Sequence, residues 1–295
     1  MIKKIFIFSA LLLCFSCGKT PSMPEGERKP LVLVSIAPYQ YLVDRIAGGA
    51  VDVHAVVPLG ANPHAFEPTS LQVADISRGQ MWFLIGEPFE EKILPIIKGR
   101  NPNFIVQDLR DGISLIEEGN SLACSHCSMD HFDRHIWLSP KLASKQAEGI
   151  ARTLGEKFPD QKNHFAENLV VLQAELSELD LEIHTLLESV KERVILVSHP
   201  AFGYFCRDYD FEQLSVEYEG KDPRPKHLEQ VLQRAISHGA ELALALPQYN
   251  NKGAQLIAEK LHVPVHLIDP YSSDYFETMR KLANLIADPY EGAAK

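Results

Sequence analysis

Clustered positive charge is missing from this 295-residue chain: 29 Lys and Arg stand against 39 Asp and Glu, a formal charge of −10. An acidic chain without a basic cluster has no electrostatic grip on a phosphate backbone, which argues against nucleic acid as a partner. Cysteine is scarce, five in all. Cys124 and Cys127 form a Cys-x-x-Cys pair with no second such pair to complete a four-cysteine zinc site. In an exported protein the two have the spacing of a small disulfide; half of a zinc hook is the alternative. His-Glu-x-x-His and the Gly-x-Ser-x-Gly elbow are also absent, so the commonest signatures of zinc peptidases and α/β-hydrolases are not present. Beyond the first residues no run is apolar enough to span a bilayer.

The amino-terminal residues read as an export signal. Lys3 and Lys4 supply a positive start, Ile5 to Phe15 is apolar apart from Ser9, and Ser16-Cys17-Gly18 follows. The apolar run is too short for a spanning helix. A cysteine directly after a small residue points to lipidation at Cys17, although Cys14 stands where such signals usually carry Leu; plain cleavage with Cys17 free is the alternative. Residues 17–29, with Pro21 and Pro24, then form a flexible tether ahead of Pro30. Removing residues 1–16 takes away two lysines and no acid, so −10 becomes −12. The expected product is a monomer outside the cytoplasm, periplasmic or at the cell surface, leashed to a membrane by lipid.

The remaining chain alternates in the α/β manner. Apolar runs at 31–37, 51–57, 81–85 and 103–109 read as strands, with helices at 38–48, 69–79, 88–98 and 140–157. The rhythm returns with strands at 193–198, 211–216, 241–246 and 263–268 and helices at 225–238, 251–261 and 273–287. Runs that are apolar throughout suit parallel strands covered on both faces. Two lobes are therefore expected, 30–159 and 193–295, each with its own core. Between them, residues 160–192 contain neither Gly nor Pro. Phe165, Leu169, Leu172, Leu176, Leu179, Ile183, Leu186 and Val190 recur there at alternating steps of four and three. That seam predicts one rigid helix, on the order of 40 Å long, joining the lobes and limiting hinge motion; a coiled-coil strand is the alternative.

Three histidines stand in unusual clusters: Asn62-Pro63-His64-Ala65-Phe66-Glu67-Pro68, Asp133-Arg134-His135-Ile136-Trp137-Leu138-Ser139-Pro140 and Val197-Ser198-His199-Pro200-Ala201-Phe202-Gly203-Tyr204-Phe205. Each lies where an extended segment gives way to a loop or helix, the position at which α/β sheets present ligand groups. Neutral imidazole is a common ligand for borderline transition metals. Asp269, in Leu267-Ile268-Asp269-Pro270, would complete a four-ligand shell. Taken singly, each has a plainer role: a solvated loop residue, a hydrogen-bonded core histidine, or a helix cap.

Together these clusters resemble the zinc/manganese-type solute-binding proteins of bacterial ABC transporters over nearly the whole chain after residue 30. Asp222-Pro223-Arg224-Pro225-Lys226-His227-Leu228 and the late Asp269 also match; Arg134 and Ser139 stand where the family usually has Pro and Asp. The resemblance implies two lobes, each with a four-stranded parallel sheet, and a metal held in the cleft by His64 and His135 from the first and His199 and Asp269 from the second. It implies capture of a divalent transition metal and delivery to a membrane permease and its ATPase. Three imidazoles and one carboxylate suit Zn²⁺, whereas Mn²⁺, with Fe²⁺ a further alternative, prefers more oxygen and binds weakly to nitrogen. Glu67 or Glu217 would balance the charge from behind the ligands. The segment holding Cys124, His126, Cys127, Asp130, His131 and Asp133 resembles a short form of the His/acid-rich loop of zinc-type members: a secondary metal-collecting site, or a surface loop closed by a disulfide. Two other classes remain, a zinc hydrolase with Glu67 as base and an adhesin whose metal is structural.

Overall fold

The computed structural model describes residues 29–117, 132–217 and 223–290. In the first lobe, β1 (Leu31–Val34), α1 (Ala37–Ala47), β2 (Asp52–Ala55), α2 (Ser70–Ile76), β3 (Met81–Leu84), α3 (Pro88–Arg100) and β4 (Ile105–Asp108) follow one another. The strands pair in parallel in the order β2-β1-β3-β4. After α4 (Pro140–Lys157) and α5 (Lys162–Leu187), the second lobe contains β5 (Val194–Val197), α6 (Gly203–Tyr209), β6 (Glu212–Ser215), α7 (Pro225–Ser237), β7 (Ala243–Ala245), α8 (Lys252–Leu261), β8 (Val265–Leu267) and α9 (Tyr275–Ala287). Its sheet repeats the same order, β6-β5-β7-β8, again all parallel.

Local chemistry accounts for most boundaries. The central strands β3 (Met-Trp-Phe-Leu) and β5 (Val-Ile-Leu-Val) are buried at every position, as parallel strands under helices on both faces must be. Prolines at the first turns of α1, α3, α4 and α7 give up an N–H that has no intrahelical acceptor there. Thr69 and Gln72 form a reciprocal capping box on α2. Ser139 caps α4 by accepting from Leu142 N–H. The α6 helix is absent from the sequence expectations: seven residues that are aromatic on several sides give no readable period.

The joining helix α5 has 26 residues, about 39 Å at the standard rise. Phe165, Leu172, Leu176, Leu179, Ile183 and Leu187 are its buried face, and it packs on α1 and α4 of one lobe and α9 of the other. It ends at Leu187, short of the expected 192, and Val190 closes a turn back onto Leu187 instead. The expectation of one core per lobe is also corrected. A single cluster of buried side chains runs from Val32 through the α5 seam to Ile286, and only the outer layer under α7 and α8 forms a separate group. The inner face of the second lobe merges with the first because α5 and α9 fill the space between them.

Hydrogen bonds tie the lobes together as well. Trp137 Nε1 donates to Pro270 O at 2.9 Å, Tyr275 Oη donates to Trp137 O at 2.7 Å, and Tyr204 Oη donates to Asp133 O at 2.8 Å. Among the described residues no helix is long and apolar enough to cross a membrane.

Candidate metal centre

His64 and His199 lie beyond the carboxyl ends of strands, the edge at which parallel sheets gather ligands. His64 follows β2, in a 3-10 turn (Pro63–Ala65) whose start is fixed by His64 N–H donating to Asn62 Oδ1 at 2.9 Å. His135 lies beyond β4, ahead of the buried 3-10 turn Ile136–Leu138. His199 follows β5 by two residues. Their rings form a near-equilateral triangle, each pair of centroids 5.2 Å apart. One nitrogen from each lies within 4.8 Å of the other two. A zinc ion with Zn–N bonds of about 2.0–2.1 Å needs nitrogens roughly 3.4 Å apart, so a small contraction would seat it.

Behind each imidazole stands a carboxylate. His64 Nδ1 meets Glu87 Oε2 at 2.8 Å, His135 Nδ1 meets Asp133 Oδ1 at 2.7 Å, and His199 Nδ1 meets Glu217 Oε2 at 2.9 Å. Each carboxylate takes the Nδ1 hydrogen, fixes the tautomer and leaves Nε2 as the donor atom. Asp133 Oδ1 also accepts the main-chain N–H of His135 at 2.8 Å. His199 Nε2 is buried and has no hydrogen-bond partner among the described residues, an unmet need that a metal would satisfy.

Electrostatics keep His135 and His199 neutral. Burial pushes His199 down to about 3, and the neighbouring His135 adds to the effect. Burial also holds His135 well below the usual histidine range, with a further push from His64. The same burial lifts Asp133 to about 7. A low-dielectric pocket disfavours the charged form of each group, imidazolium and carboxylate alike. These two imidazoles therefore need shed no proton at neutral pH before binding.

Further back, Glu90 is buried and accepts from Ile85 N–H at 3.1 Å, Gly86 N–H at 2.7 Å and the Ser35 hydroxyl. Arg134 Nε donates to Gly86 O at 2.6 Å. These bonds pin the turn that carries Glu87, which is completely buried. Gly203 is required beside Asp133, since a Cβ there would lie 2.4 Å from Asp133 Oδ2.

Several sequence expectations change. Glu67 is not behind the ligands: its side chain is 77% exposed and pairs with Lys92 at 2.8 Å, because it leaves the turn on the solvent side. Glu87, which the sequence reading missed, fills that place; its signal was a carboxylate directly after a buried strand and ahead of Pro88. Glu217 does stand behind His199. Asp133, expected in a surface collecting loop, is instead buried against His135. Asp269 lies outside the three-histidine group. Its Oδ1 accepts from Gln248 Nε2 at 2.8 Å and from Tyr271 N–H at 2.9 Å, bonds that shape the turn after β8. Cys17, Cys124, His126, Cys127, Asp130 and His131 lie outside the described residues. Two tyrosines join the site unannounced: Tyr249 stacks on His199 at 3.8 Å and 10°, and Tyr271 Oη lies 3.0 Å from His135 Nε2.

Comparison with known proteins shows what the chain is similar to. A family model described as zinc-uptake complex component A, periplasmic, matches residues 32–288. A protein of Chlamydia trachomatis serovar D, provisionally named a metal-binding protein, is 33% identical over 279 residues, covering 94% of this chain and 98% of that one. The zinc-binding protein AdcA of Streptococcus pyogenes serotype M3 is 23% identical over 314 residues, and the match spans 95% of this chain but 60% of AdcA. Among solved structures, a crystal structure of ZnuA superposes with a TM-score of 0.81 at 33% identity, covering 88% of this chain and 98% of that chain. A laminin-binding protein of Streptococcus agalactiae, 21% identical with a TM-score of 0.75 over 88% of this chain and 98% of that one, shares the fold.

Proposed function

This chain belongs to the family of periplasmic zinc-uptake complex component A proteins, the metal-binding solute-binding components of ABC transporters, and from that premise we propose that its cargo is zinc. The observation that carries the reading is the triangle of three Nε2-directed imidazoles, each backed by a carboxylate on Nδ1. A nitrogen-rich, neutral, largely buried donor set suits Zn²⁺ and discriminates against Mn²⁺, which favours oxygen and stands at the weak end of the divalent series. His64, His135 and His199 bind the ion, and Asp269 supplies the fourth, anionic ligand once its turn relaxes. The carboxylates Glu87, Asp133 and Glu217 offset the dication's charge from behind the rings and hold them aimed at it.

The ion is carried, not used. Capture happens outside the cytoplasm, and the loaded protein hands the metal to the permease and ATPase with which this family works. Lipid at Cys17 keeps a monomeric carrier near that permease, since one tethered partner meets another at a raised effective concentration.

Titration calorimetry of the mature protein with Zn²⁺ and Mn²⁺ tests the assignment. Zinc is expected to bind one to one and far more tightly than manganese, and His199→Ala to weaken zinc by at least 100-fold. Unchanged zinc affinity in His199→Ala, or a preference for manganese, would overturn it.

A further inference from the structure

Tyr271 is buried at the end of the turn after β8, and its hydroxyl lies 3.0 Å from His135 Nε2, the nitrogen aimed at the metal centre. The direction of that hydrogen bond follows from the tautomer that Asp133 holds. With Asp133 ionised, its Oδ1 accepts both the main-chain N–H of His135 and the ring hydrogen, which then sits on Nδ1. Nε2 is then an acceptor, and Tyr271 must donate to it. A hydroxyl has one hydrogen, so the 3.0 Å contact between Tyr249 Oη and Tyr271 Oη runs the other way, with Tyr249 donating. The result is a polarised relay, Tyr249 to Tyr271 to His135, crossing from the second lobe to the first. Tyr249 also lies flat on the His199 ring.

An imidazole nitrogen has one lone pair in the ring plane. It either accepts the Tyr271 hydrogen or coordinates a cation, and the two states exclude each other. We propose that Tyr271 competes with the metal for His135 Nε2, so that its hydroxyl sets how tightly the site holds its cargo and how readily it lets go. The inference rests on the reading of His135 as a metal ligand and adds a residue that works against retention. Pinning in the metal-free form supports it: Tyr271 N–H donates to Asp269 Oδ1 and Pro270 O accepts from Trp137 Nε1, so until Asp269 turns to the metal the phenol is held at the nitrogen. As the ion leaves, the vacated nitrogen is capped at once and does not remain a buried, unpaired acceptor.

The experiment follows zinc release from loaded full-length mature protein into excess chelator by stopped flow, with equilibrium affinity measured by competition. Tyr271→Phe keeps the ring and removes the competing hydrogen. It is expected to bind zinc about 10-fold more tightly and to release it about 10-fold more slowly, because the metal-free form then leaves a buried acceptor unsatisfied. Tyr249→Phe, which weakens the relay from behind, is expected to shift both quantities in the same direction by less. A merely structural tyrosine would give the opposite sign, looser binding and faster release, and that result overturns the proposal, as does an unchanged rate. Wild-type protein that takes up no zinc would sink the reading of the site and this inference together. Wild type that binds zinc, with Tyr271→Phe releasing at the same rate, would sink this inference alone.

Discussion

Replacing Glu87 with Gln keeps the shape of the side chain but removes the charge that draws the Nδ1 hydrogen of His64 and offsets the ion. Outer-shell partners of this kind are worth about 10- to 100-fold in metal affinity, so Glu87→Gln is expected to weaken zinc by that factor in a competition assay. Glu67→Gln, at an exposed pair, should leave affinity unchanged. The contrast marks how far the site could be read from residues alone. The three imidazoles were legible because each sits in a short cluster with prolines or aromatic rings close by. Which carboxylate backs which ring was not, because that depends on where α3 begins over the sheet, and Glu67 and Glu87 look alike in sequence. Titration also belongs to this scale. The folded His199 titrates near 3 against 6.5 for an ordinary histidine, and His135 is shifted the same way. The unfolded chain therefore binds more protons at His199 between those values, removing about 1.4 kcal/mol of stability per pH unit as pH falls through that window, and His135 acts in the same direction. Glu90 and Asp133, raised to about 7 from 4.5 and 3.8, act oppositely: their contribution is complete below the unfolded values and is lost as pH rises through 7. The two effects offset each other from about 4.5 to 6.5 and leave the imidazoles unopposed lower down. Urea midpoints of metal-stripped protein should stay level from pH 6.5 to 4.5, then fall steeply.

Elements carry a different set of expectations. The first turn of α6 passes so close to Asp133 that Gly203→Ala must push either the helix or the carboxylate. The expected outcome is a protein that folds, with zinc affinity reduced about 10-fold because His135 loses its alignment; calorimetry checks it. Along α5, Leu176 is buried and Leu181 is exposed. Leu176→Ala should cost about 2–5 kcal/mol in a urea melt and Leu181→Ala less than about 0.5 kcal/mol. The seam that separates these two leucines is visible in the sequence as steps of three and four, and α4, α7 and the central strands are equally plain from period, proline and continuous apolar runs. The α6 helix was not, since its seven residues mix aromatics with Gly and Arg and take their helical form from packing against β6 and the Asp133 loop.

At the scale of the molecule, the shared core predicts that removing metal does not unfold the chain. Chelator-treated protein should keep its far-ultraviolet circular dichroism, while zinc at 100 times its Kd should add about 2.7 kcal/mol of stability, raising Tm by roughly 5–10 °C. A protein that melts when stripped would instead have a structural ion. The two-lobe plan was legible from the repeated strand–helix rhythm, yet the merging of the cores was not, because it arises where α9 returns against α5, a contact between residues about a hundred positions apart. That merging bears on how the cargo gets out. With a helical strut of 26 residues packed on both halves and Trp137 keyed to Pro270, no broad clam-like gape is available to sweep solvent aside. Escape of the ion then depends on rotations of a few rings within a stiff frame, and its speed should be nearly indifferent to sucrose or glycerol thickening the surrounding fluid.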